Sequence, residues 1–327
     1  MIADFLAAAG WADAARTPLA GDASARRYER LRRGDDRAVL MIAPPGPEVR
    51  RFAEVDDWLR MRGFSAPQIL AADPALGLML LEDLGDDLLF TLLDRDPTRE
   101  AALYGQVTDF LLDLHRHAPP GFITPLDGPA LGHLLDLTAD WAPVAACDAA
   151  RALPGLVAEQ FTALDDLPPV MCLRDFHAQN MLWLPERSGT ARLGLLDFQD
   201  AVAGHPAYDL VSALQDVRRD VSAAVETREC ARYIAARGLD PERFGTVYAL
   251  LGAQRALRIH GIFARLCLAM GKAQYLDLMP RNWRNLERNL SHPALAPLAA
   301  TVRAAYPAPT PDILHSLRTA CGTRPTP

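Results

Sequence analysis

Two polar breaks interrupt the short apolar segments between residues 170 and 200, and this pattern constrains the fold more than any other feature of the chain. The first break carries Asp175 and Asn180, five positions apart, and the second carries Asp197. If the two breaks meet, two carboxylates and an amide oxygen converge. Phosphoryl transfer from a magnesium nucleotide needs such a set, because one carboxylate takes the proton of the acceptor hydroxyl and hard oxygen ligands bind the metal.

The sequence between the breaks predicts how they meet. Ser188-Gly189 can turn the chain, so we expect residues 181–184 and 193–196 to pair as a β-hairpin. Such pairing puts Asn180 and Asp197 at the same end of the two strands. Two polar turns on a buried hairpin, without any chemistry, are the alternative interpretation of this pattern.

Charge and cysteine usage argue against several other classes of protein. The 327 residues include 34 Lys or Arg and 41 Asp or Glu, and the net charge of −7 argues against binding nucleic acid by charge alone. The five cysteines are scattered and form no C-x-x-C pair, which argues against a zinc site or a disulfide framework and suits a reducing cytosol. No segment has the roughly eighteen uninterrupted apolar residues of a membrane span, and the start lacks the basic residues of a signal peptide. We therefore expect a cytoplasmic protein that does not contact a membrane.

The hydrophobic periodicity predicts strands in the first part of the chain and helices after it. The expected order is helix, hairpin, helix, hairpin, followed by a polar linker at 82–87 and a helical part. The strands are predicted at 26–33, 37–43, 68–72 and 77–81, and the helices at the N-terminus, at 48–62, 98–117, 130–141 and 148–163, and in several stretches from 207 onward.

The motif R-D-x-x-x-x-N, followed later by D-F, resembles the catalytic loop and the metal-binding aspartate of protein kinases. Gln199 stands where a kinase has glycine, and this variant resembles the aminoglycoside phosphotransferase and choline kinase branch of the protein-kinase-like superfamily. With the segments 80–86 (L-L-E-D-L-G-D) and 205–210 (H-P-A-Y-D-L), the motifs look most like the bacterial N-acetylmuramate/N-acetylglucosamine anomeric kinases of cell-wall recycling. The likeness spans residues 20–290.

The resemblance implies an α+β, protein-kinase-like fold with two lobes. A small antiparallel β-sheet lobe over residues 1–83 would bind the nucleotide, and a mainly helical lobe over residues 84–327 would hold the catalytic and substrate-binding residues. ATP and Mg²⁺ are implied, with Asp175 accepting the proton of the acceptor and Asn180 and Asp197 binding the metal. The acceptor would be the anomeric hydroxyl of the amino sugar. No nucleic acid, membrane or obligate protein partner is expected.

The nucleotide site departs from the kinase pattern at one position. Met41 stands where the third strand of a kinase carries the phosphate-binding lysine, and the only lysine of the chain is Lys272. Glu54 matches the glutamate that pairs with that lysine, so its partner would have to be an arginine. We expect Arg26 or Arg27 to clamp the phosphates, and a solvated cationic strand is the alternative. The other expected positions are Ser24 in the phosphate-covering loop, Val39 beside the adenine, and Glu82 and Leu84 in the hinge.

The sugar pocket is expected to draw on the catalytic loop and on a helix near residues 254–265, where Arg and His mix with bulky apolar residues. A lactyl carboxylate on the sugar would favour an arginine partner. A helix core with a charged edge, and a structural role for the loop histidine, are the alternatives. The candidate residues are His177, Arg255, His260 and Arg265.

Two other functions stay open at the level of sequence. The acceptor could be another small alcohol of the aminoglycoside, choline or homoserine type, although cationic acceptors usually need a pocket rich in acids and aromatic residues. The missing lysine also permits a nucleotide-binding pseudokinase, but such a protein would not need to keep the catalytic aspartate.

Overall fold

The computed structural model of the chain describes residues 1–19 and 26–325, so the candidate Ser24 lies outside the described residues. The chain divides into two compact units. The first comprises Met1–Phe110 and Leu173–Ala201, and the second comprises Leu111–Cys172 and Val202–Pro327. The segment with both polar breaks therefore belongs to the first unit. The functional division into 1–83 and 84–327 stays a prediction.

Nine strands and thirteen helices are found among the described residues, together with short 3₁₀ turns. The strands are β1 (Ala15–Leu19), β2 (Arg27–Arg33), β3 (Asp36–Ile42), β4 (Ile69–Asp73), β5 (Leu78–Glu82), β6 (Val170–Cys172), β7 (Met181–Trp183), β8 (Leu193–Leu195) and β9 (Val202–Gly204). The helices are α1 (Ile2–Ala8), α2 (Pro47–Arg60), α3 (Leu89–Arg95), α4 (Glu100–Leu114), α5 (Gly128–His133), α6 (Asp136–Trp141), α7 (Cys147–Leu164), α8 (Ala207–Leu214), α9 (Ala223–Arg237), α10 (Pro241–Leu268), α11 (Met279–Leu290), α12 (Ala296–Ala305) and α13 (Pro311–Thr319).

The first unit contains the predicted small antiparallel sheet, with strand order β1-β2-β3-β5-β4. Both predicted hairpins are present, and Gly34 turns the chain between β2 and β3 with a positive φ of 62°. The predicted order lacks the edge strand β1, which contains Pro18. Proline cannot donate a ladder hydrogen bond and is tolerated only at an edge or at a strand start, so the sequence pattern gave a weak strand signal there.

Alternate residues of the sheet lie on opposite faces. Leu31, Leu40 and Leu80 belong to a buried cluster on one face that also contains Leu6 of α1. Met41 lies one residue further along β3 than Leu40, opposite Tyr28 of β2, and is buried. The position that carries the kinase lysine is thus filled by an apolar side chain packed in the interior.

The second unit contains the helices from α5 onward and a short antiparallel pair of strands, β6 and β9. The predicted helix at 130–141 is divided into α5 and α6. Close packing of α6 against α10 requires Gly261, because a Cβ atom there would lie 2.6 Å from the Cα of Thr138. Among the helices described, none combines the length and the apolar character needed to cross a membrane.

Asp56 is a buried acid on α2 without a local hydrogen-bond partner. Its residue is 1% exposed, and neither carboxylate oxygen receives a hydrogen bond from the described residues. Burial is the main cause that raises the pKa of Asp56 to about 7 from an ordinary value of 3.8, while the positive charge of Arg60 opposes the rise. The folded protein therefore holds a proton on Asp56 in a pH range where the unfolded chain has lost it.

This difference predicts that the contribution of Asp56 to stability declines between about pH 4 and pH 7, because only the unfolded chain releases the proton there. A pKa raised from 3.8 to about 7 corresponds to about 4 kcal/mol. We expect the unfolding free energy of Asp56→Ala, relative to wild type, to rise by about that amount from pH 4 to pH 8 in urea titrations. The exposed Glu54 of the same helix, which does not contribute to the raised pKa of Asp56, offers the control Glu54→Ala, which should show no such trend. A pH-independent difference for Asp56→Ala would contradict the prediction.

Candidate active site

The predicted hairpin that joins the two polar breaks is present in the first unit. Strands β7 and β8 pair in antiparallel register, with Met181 opposite Leu195. Beyond this pair, the carbonyl of Asn180 accepts a hydrogen bond from the backbone amide of Leu196 at 2.9 Å. Asp197 follows directly. The pairing therefore brings Asn180 and Asp197 to the same end of the hairpin, as the sequence predicts.

The backbone is strained at both breaks. Among the described residues other than glycine, only Arg174, at φ 70°, and Asp197, at φ 56°, have positive φ angles. A non-glycine residue in this conformation costs about 1–3 kcal/mol, and such strain clusters at functional sites. Arg174 directly precedes Asp175. Both aspartates of the predicted site are thus placed by unusual backbone conformations that the surrounding packing must hold.

Aromatic side chains provide that packing. Phe176, which follows Asp175, stacks on Phe110 with ring centroids 5.3 Å apart. Phe198, which follows Asp197, packs against Phe52 of α2 with ring centroids 4.7 Å apart. Since Phe176 and Phe198 are both buried, each aspartate is anchored by the side chain next to it.

The loop between Asp175 and Asn180 is closed by hydrogen bonds to the backbone carbonyl of Asp175. The Nδ2 group of Asn180 donates to the carbonyl of Asp175 at 2.9 Å, and the backbone amide of His177 donates to the same carbonyl at 3.2 Å. His177 is buried, and its Nε2 lies 3.5 Å from Nδ2 of Asn180. The structure therefore places His177 against the loop itself, in line with the structural alternative, and its contact with substrate stays a prediction.

Asp197 is held by two donors that share one of its oxygens. Nη2 of Arg26 donates to Oδ1 of Asp197 at 2.6 Å, and Nε2 of Gln199 donates to the same oxygen at 3.0 Å. Nη1 of Arg26 donates to Oε1 of Gln199 at 2.7 Å. The three side chains therefore form a closed hydrogen-bonded ring, and no motif in the sequence indicates this role for Gln199.

Arg26 is a buried positive charge that lies two residues before Tyr28, the strand neighbour of Met41. The residue is 8% exposed, and its Nε lies 3.2 Å from a carboxylate oxygen of Glu48 in the first turn of α2. Burial alone would lower the pKa of Arg26, but the interactions with Tyr28, Asp197 and other neighbours raise it above its ordinary value. Arg26 thus remains charged inside the first unit.

The other residues expected beside this charge lie elsewhere. Glu54, expected to pair with an arginine, is exposed on α2, and the carboxylate of α2 that lies next to Arg26 is Glu48, six residues earlier. Arg27 begins β2 with an exposed side chain. Of the two arginines, Arg26 is therefore the one that the structure connects to Asp197.

The oxygen atoms at this end of the hairpin suit a hard divalent cation. No described residue donates a hydrogen bond to Oδ1 of Asn180 or to Oδ2 of Asp197. The side chain of Asp197 is 36% exposed, so this carboxylate is open to solvent. Amide and carboxylate oxygens are ligands that Mg²⁺ prefers. Elsewhere in the described part of the chain, no three His, Cys, Asp or Glu side chains lie close enough together to bind a metal ion.

The segment expected to form the hinge follows β5. Nε of Arg30 lies 2.7 Å from Oδ2 of Asp83, and Nη2 of Arg30 donates to Asp86 at 2.8 Å. The side chain of Glu82 accepts hydrogen bonds from Arg187 at 2.5 Å and from the backbone amide of Gln68 at 3.0 Å, and its own backbone amide donates to the carbonyl of Gln68 at 2.8 Å. No described residue accepts a hydrogen bond from the backbone amide of Leu84.

The expected neighbour of the adenine lies on the middle strand of the sheet. Val39 of β3 is half-buried, opposite Arg30 of β2 and Leu81 of β5. Its face of β3 is the one opposite the buried cluster around Leu40.

The three helical candidates for the sugar pocket all lie on α10 in the second unit. Arg255 is buried, donates to Oγ of Ser212 at 2.6 Å and lies 4.6 Å above the ring of Tyr208. His260 is also buried, and burial lowers its pKa to about 4, so the ring is neutral near pH 7. Arg265 is half-buried. The packing of Arg255 and His260 fits the helix-core alternative, and all three substrate roles stay predictions.

Comparison with known proteins decides the family. Residues 15–244, more than half of the chain, match the model of the phosphotransferase enzyme family. The chain belongs to this family. The phosphotransferase is also 41% identical to a protein from Caulobacter vibrioides named N-acetylmuramate/N-acetylglucosamine kinase, in an alignment that covers 91% of this chain and 94% of that protein.

Solved structures confirm the predicted protein-kinase-like fold of the phosphotransferase. A choline/ethanolamine kinase family protein from Mesorhizobium loti matches with a TM-score of 0.60 and 18% identity, over 90% of this chain and 94% of that one. An aminoglycoside phosphotransferase from Streptomyces rimosus, solved with ADP and streptomycin, matches with a TM-score of 0.50 and 18% identity, over 75% of this chain and 94% of that one. At these identities the likeness shows the fold alone.

Proposed function

We propose that the phosphotransferase transfers the γ-phosphoryl group of ATP to the anomeric hydroxyl of N-acetylmuramate or N-acetylglucosamine, and so makes sugar 1-phosphates in cell-wall recycling. The 41% identity to the Caulobacter kinase is the observation that carries the choice of acceptor. The placement of Asn180 and Asp197 at one end of the hairpin, in the same unit as Asp175, supports the chemistry.

Each polar residue of the hairpin has a distinct role in this proposal. Asp175 orients the acceptor hydroxyl and accepts its proton as the new phosphate bond forms. Asn180 Oδ1 and Asp197 Oδ2 would hold Mg²⁺, which supplies charge neutralisation for the nucleotide phosphates when bound. Since phosphoryl transfer depends mainly on positioning and on electrostatics, the anchored loops supply much of what the reaction needs.

The nucleotide base is proposed to bind at the sheet of the first unit. The segment from Glu82 to Leu84 would follow the edge of the adenine, and the backbone amide of Leu84, which has no acceptor among the described residues, offers a hydrogen bond to it. Val39 offers a half-buried apolar surface on β3. ADP bound to the Streptomyces phosphotransferase supports nucleotide use in this fold.

Arg26 is proposed as the phosphate clamp in place of the kinase lysine. A guanidinium has five N–H donors and binds phosphate in bidentate geometry, so one arginine can contact both Asp197 and a nucleotide phosphate. We expect Arg26→Ala to raise the KM for ATP about tenfold or more, which is the loss expected for a charged hydrogen bond. Arg27→Ala, which removes an exposed arginine one residue along, is the matched control and should leave the KM within about twofold. An unchanged KM in both variants would rule out an arginine clamp at this position.

The carboxylate of N-acetylmuramate is proposed to meet an arginine of α10. Arg265 is half-buried, whereas Arg255 is buried against Ser212 and Tyr208. Arg265 is therefore the better placed of the two to contact a ligand. The proposed reaction belongs in the cytoplasm, and the five free cysteines, all described, fit a reducing compartment.

A panel of acceptors tests the proposed function. Purified protein with ATP and Mg²⁺ is assayed for ADP release with the two amino sugars, kanamycin, choline and homoserine. Discrimination that rests on hydrogen-bonded polar groups is large, so we expect kcat/KM for the amino sugars to exceed the others by about 100-fold or more. Faster turnover of kanamycin, choline or homoserine would replace the proposed acceptor, and no turnover with any acceptor would favour a nucleotide-binding protein without catalysis.

A further inference from the structure

Gln199 occupies the position where a protein kinase has glycine, which carries no side chain. The residue is 2% exposed, and its side-chain amide contacts three charged groups. Its Oε1 accepts a hydrogen bond from Arg26 at 2.7 Å, and its Nε2 donates to Asp197 at 3.0 Å and to Asp200 at 3.2 Å. Gln199 is therefore a buried residue of a charged network and not an ordinary solvent-exposed loop residue.

The hydrogen bonds to Asp197 are unevenly divided between its two carboxylate oxygens. Both donors to its carboxylate, Nη2 of Arg26 and Nε2 of Gln199, meet the same oxygen, Oδ1. No described residue donates to Oδ2. Two donors on one oxygen fix the rotation of the carboxylate, and the other oxygen is then free for a different ligand.

We propose that Gln199 is a positioning residue that, together with Arg26, holds Oδ1 of Asp197 so that Oδ2 is presented to the divalent cation. This inference rests on the proposed function, because the cation is the one that phosphoryl transfer requires. Glu48 extends the arrangement, since its carboxylate lies 3.2 Å from Nε of Arg26 and orients the guanidinium. The paired lysine and glutamate of a kinase are thus replaced by Glu48, Arg26 and Gln199, which act on the carboxylate of Asp197.

The chemistry of the amide explains why glutamine suits this position. The side chain must accept a hydrogen bond from Arg26 and donate one to Asp197, and a primary amide does both at once. Methionine has a similar length but has neither a strong donor nor a strong acceptor. Partners that orient a metal ligand typically contribute 10–100-fold to metal affinity, because an unrestrained ligand must be ordered when the metal binds.

The test measures metal binding directly. Free Mn²⁺ is followed by electron paramagnetic resonance while it is titrated into protein saturated with ADP. For Gln199→Met and Gln199→Ala we expect the Kd of Mn²⁺ to rise about tenfold, with the ADP affinity in the absence of metal within about twofold of wild type. In turnover assays the Mg²⁺ concentration at half-maximal rate should rise by a similar factor, and excess Mg²⁺ should restore most of kcat.

The control variant is Gln215→Met, which removes another buried glutamine whose amide bonds to Asn289 in the second unit. It should leave Mn²⁺ binding unchanged, and thermal melting of every variant confirms the folded state. A Kd of Mn²⁺ within twofold of wild type in both folded Gln199 variants would overturn the inference and leave the proposed function intact. Failure of the wild-type protein to bind Mn²⁺ with ADP would overturn the proposed function, and the inference with it.

Discussion

Asp175→Asn is expected to lower kcat for phosphoryl transfer by about 10³-fold, within the usual range for loss of a general base. Asparagine keeps the size of the side chain but cannot accept the proton of the acceptor hydroxyl. The loop should keep its shape, because the hydrogen bonds from Asn180 and His177 to the backbone carbonyl of Asp175 do not depend on the charge of its side chain. Single-turnover and steady-state rates of ADP and sugar phosphate formation provide the measurement.

The control for this variant is Asp35→Asn, which removes an exposed aspartate from the turn between β2 and β3. Its rate should equal that of wild type. ADP affinity should be unchanged in Asp175→Asn, since the proposed role of Asp175 concerns the acceptor and not the nucleotide. Phosphoryl transfer at the wild-type rate in Asp175→Asn would remove the proposed catalytic residue from the mechanism.

Asp197→Ala is expected to lower kcat/KM for ATP by about 10³-fold or more, because a metal ligand and an ion-pair partner are lost together. The cation loses a charged oxygen ligand, and the buried charge of Arg26 loses the nearer of its two carboxylate partners, at 2.6 Å, and keeps only Glu48. Unlike the Gln199 variants, this one should not recover at high Mg²⁺, since the ligand itself is absent. A Mg²⁺ titration of the rate separates the two cases, and recovery to near the wild-type rate would contradict the assignment of Asp197 as a metal ligand.

Local sequence signals predicted the hairpin that brings Asn180 and Asp197 together. The spacing between Asp175 and Asn180, and the turn at Ser188-Gly189, are properties of one short segment, and antiparallel pairing then dictates which ends meet. The two hairpins of the small sheet were predictable for the same reason, because each pairs strands that are close together in sequence. The edge strand β1 was missed because Pro18 weakens its strand signal.

The charged network could not be predicted in the same way, because it joins residues that are distant in sequence. Arg26 and Gln199 are 173 positions apart, and nothing in either segment indicates that they pair. Matching to the kinase pattern selected Glu54 by its place in the helix, whereas the structure uses Glu48 in the first turn. Order along the chain identifies an element, but it does not identify which turn of that element faces a charge.

Helical periodicity could not predict the surroundings of the polar residues on α10 either. It placed Arg255 and His260 on a helix with apolar neighbours, but it does not distinguish a polar residue that lines a pocket from one that packs inside the unit. The bond from Arg255 to Ser212 and the low pKa of buried His260 became visible only with the neighbouring helices in place.

Phosphorus NMR of the product identifies the hydroxyl that accepts the phosphate, because the coupling of phosphorus to sugar protons reports which oxygen carries it. With ATP, Mg²⁺ and N-acetylglucosamine, we expect one phosphomonoester signal coupled to the anomeric proton, and no product from the methyl glycoside, whose anomeric oxygen is blocked. A signal coupled to the two protons of carbon 6, or phosphorylation of the methyl glycoside, would contradict this expectation.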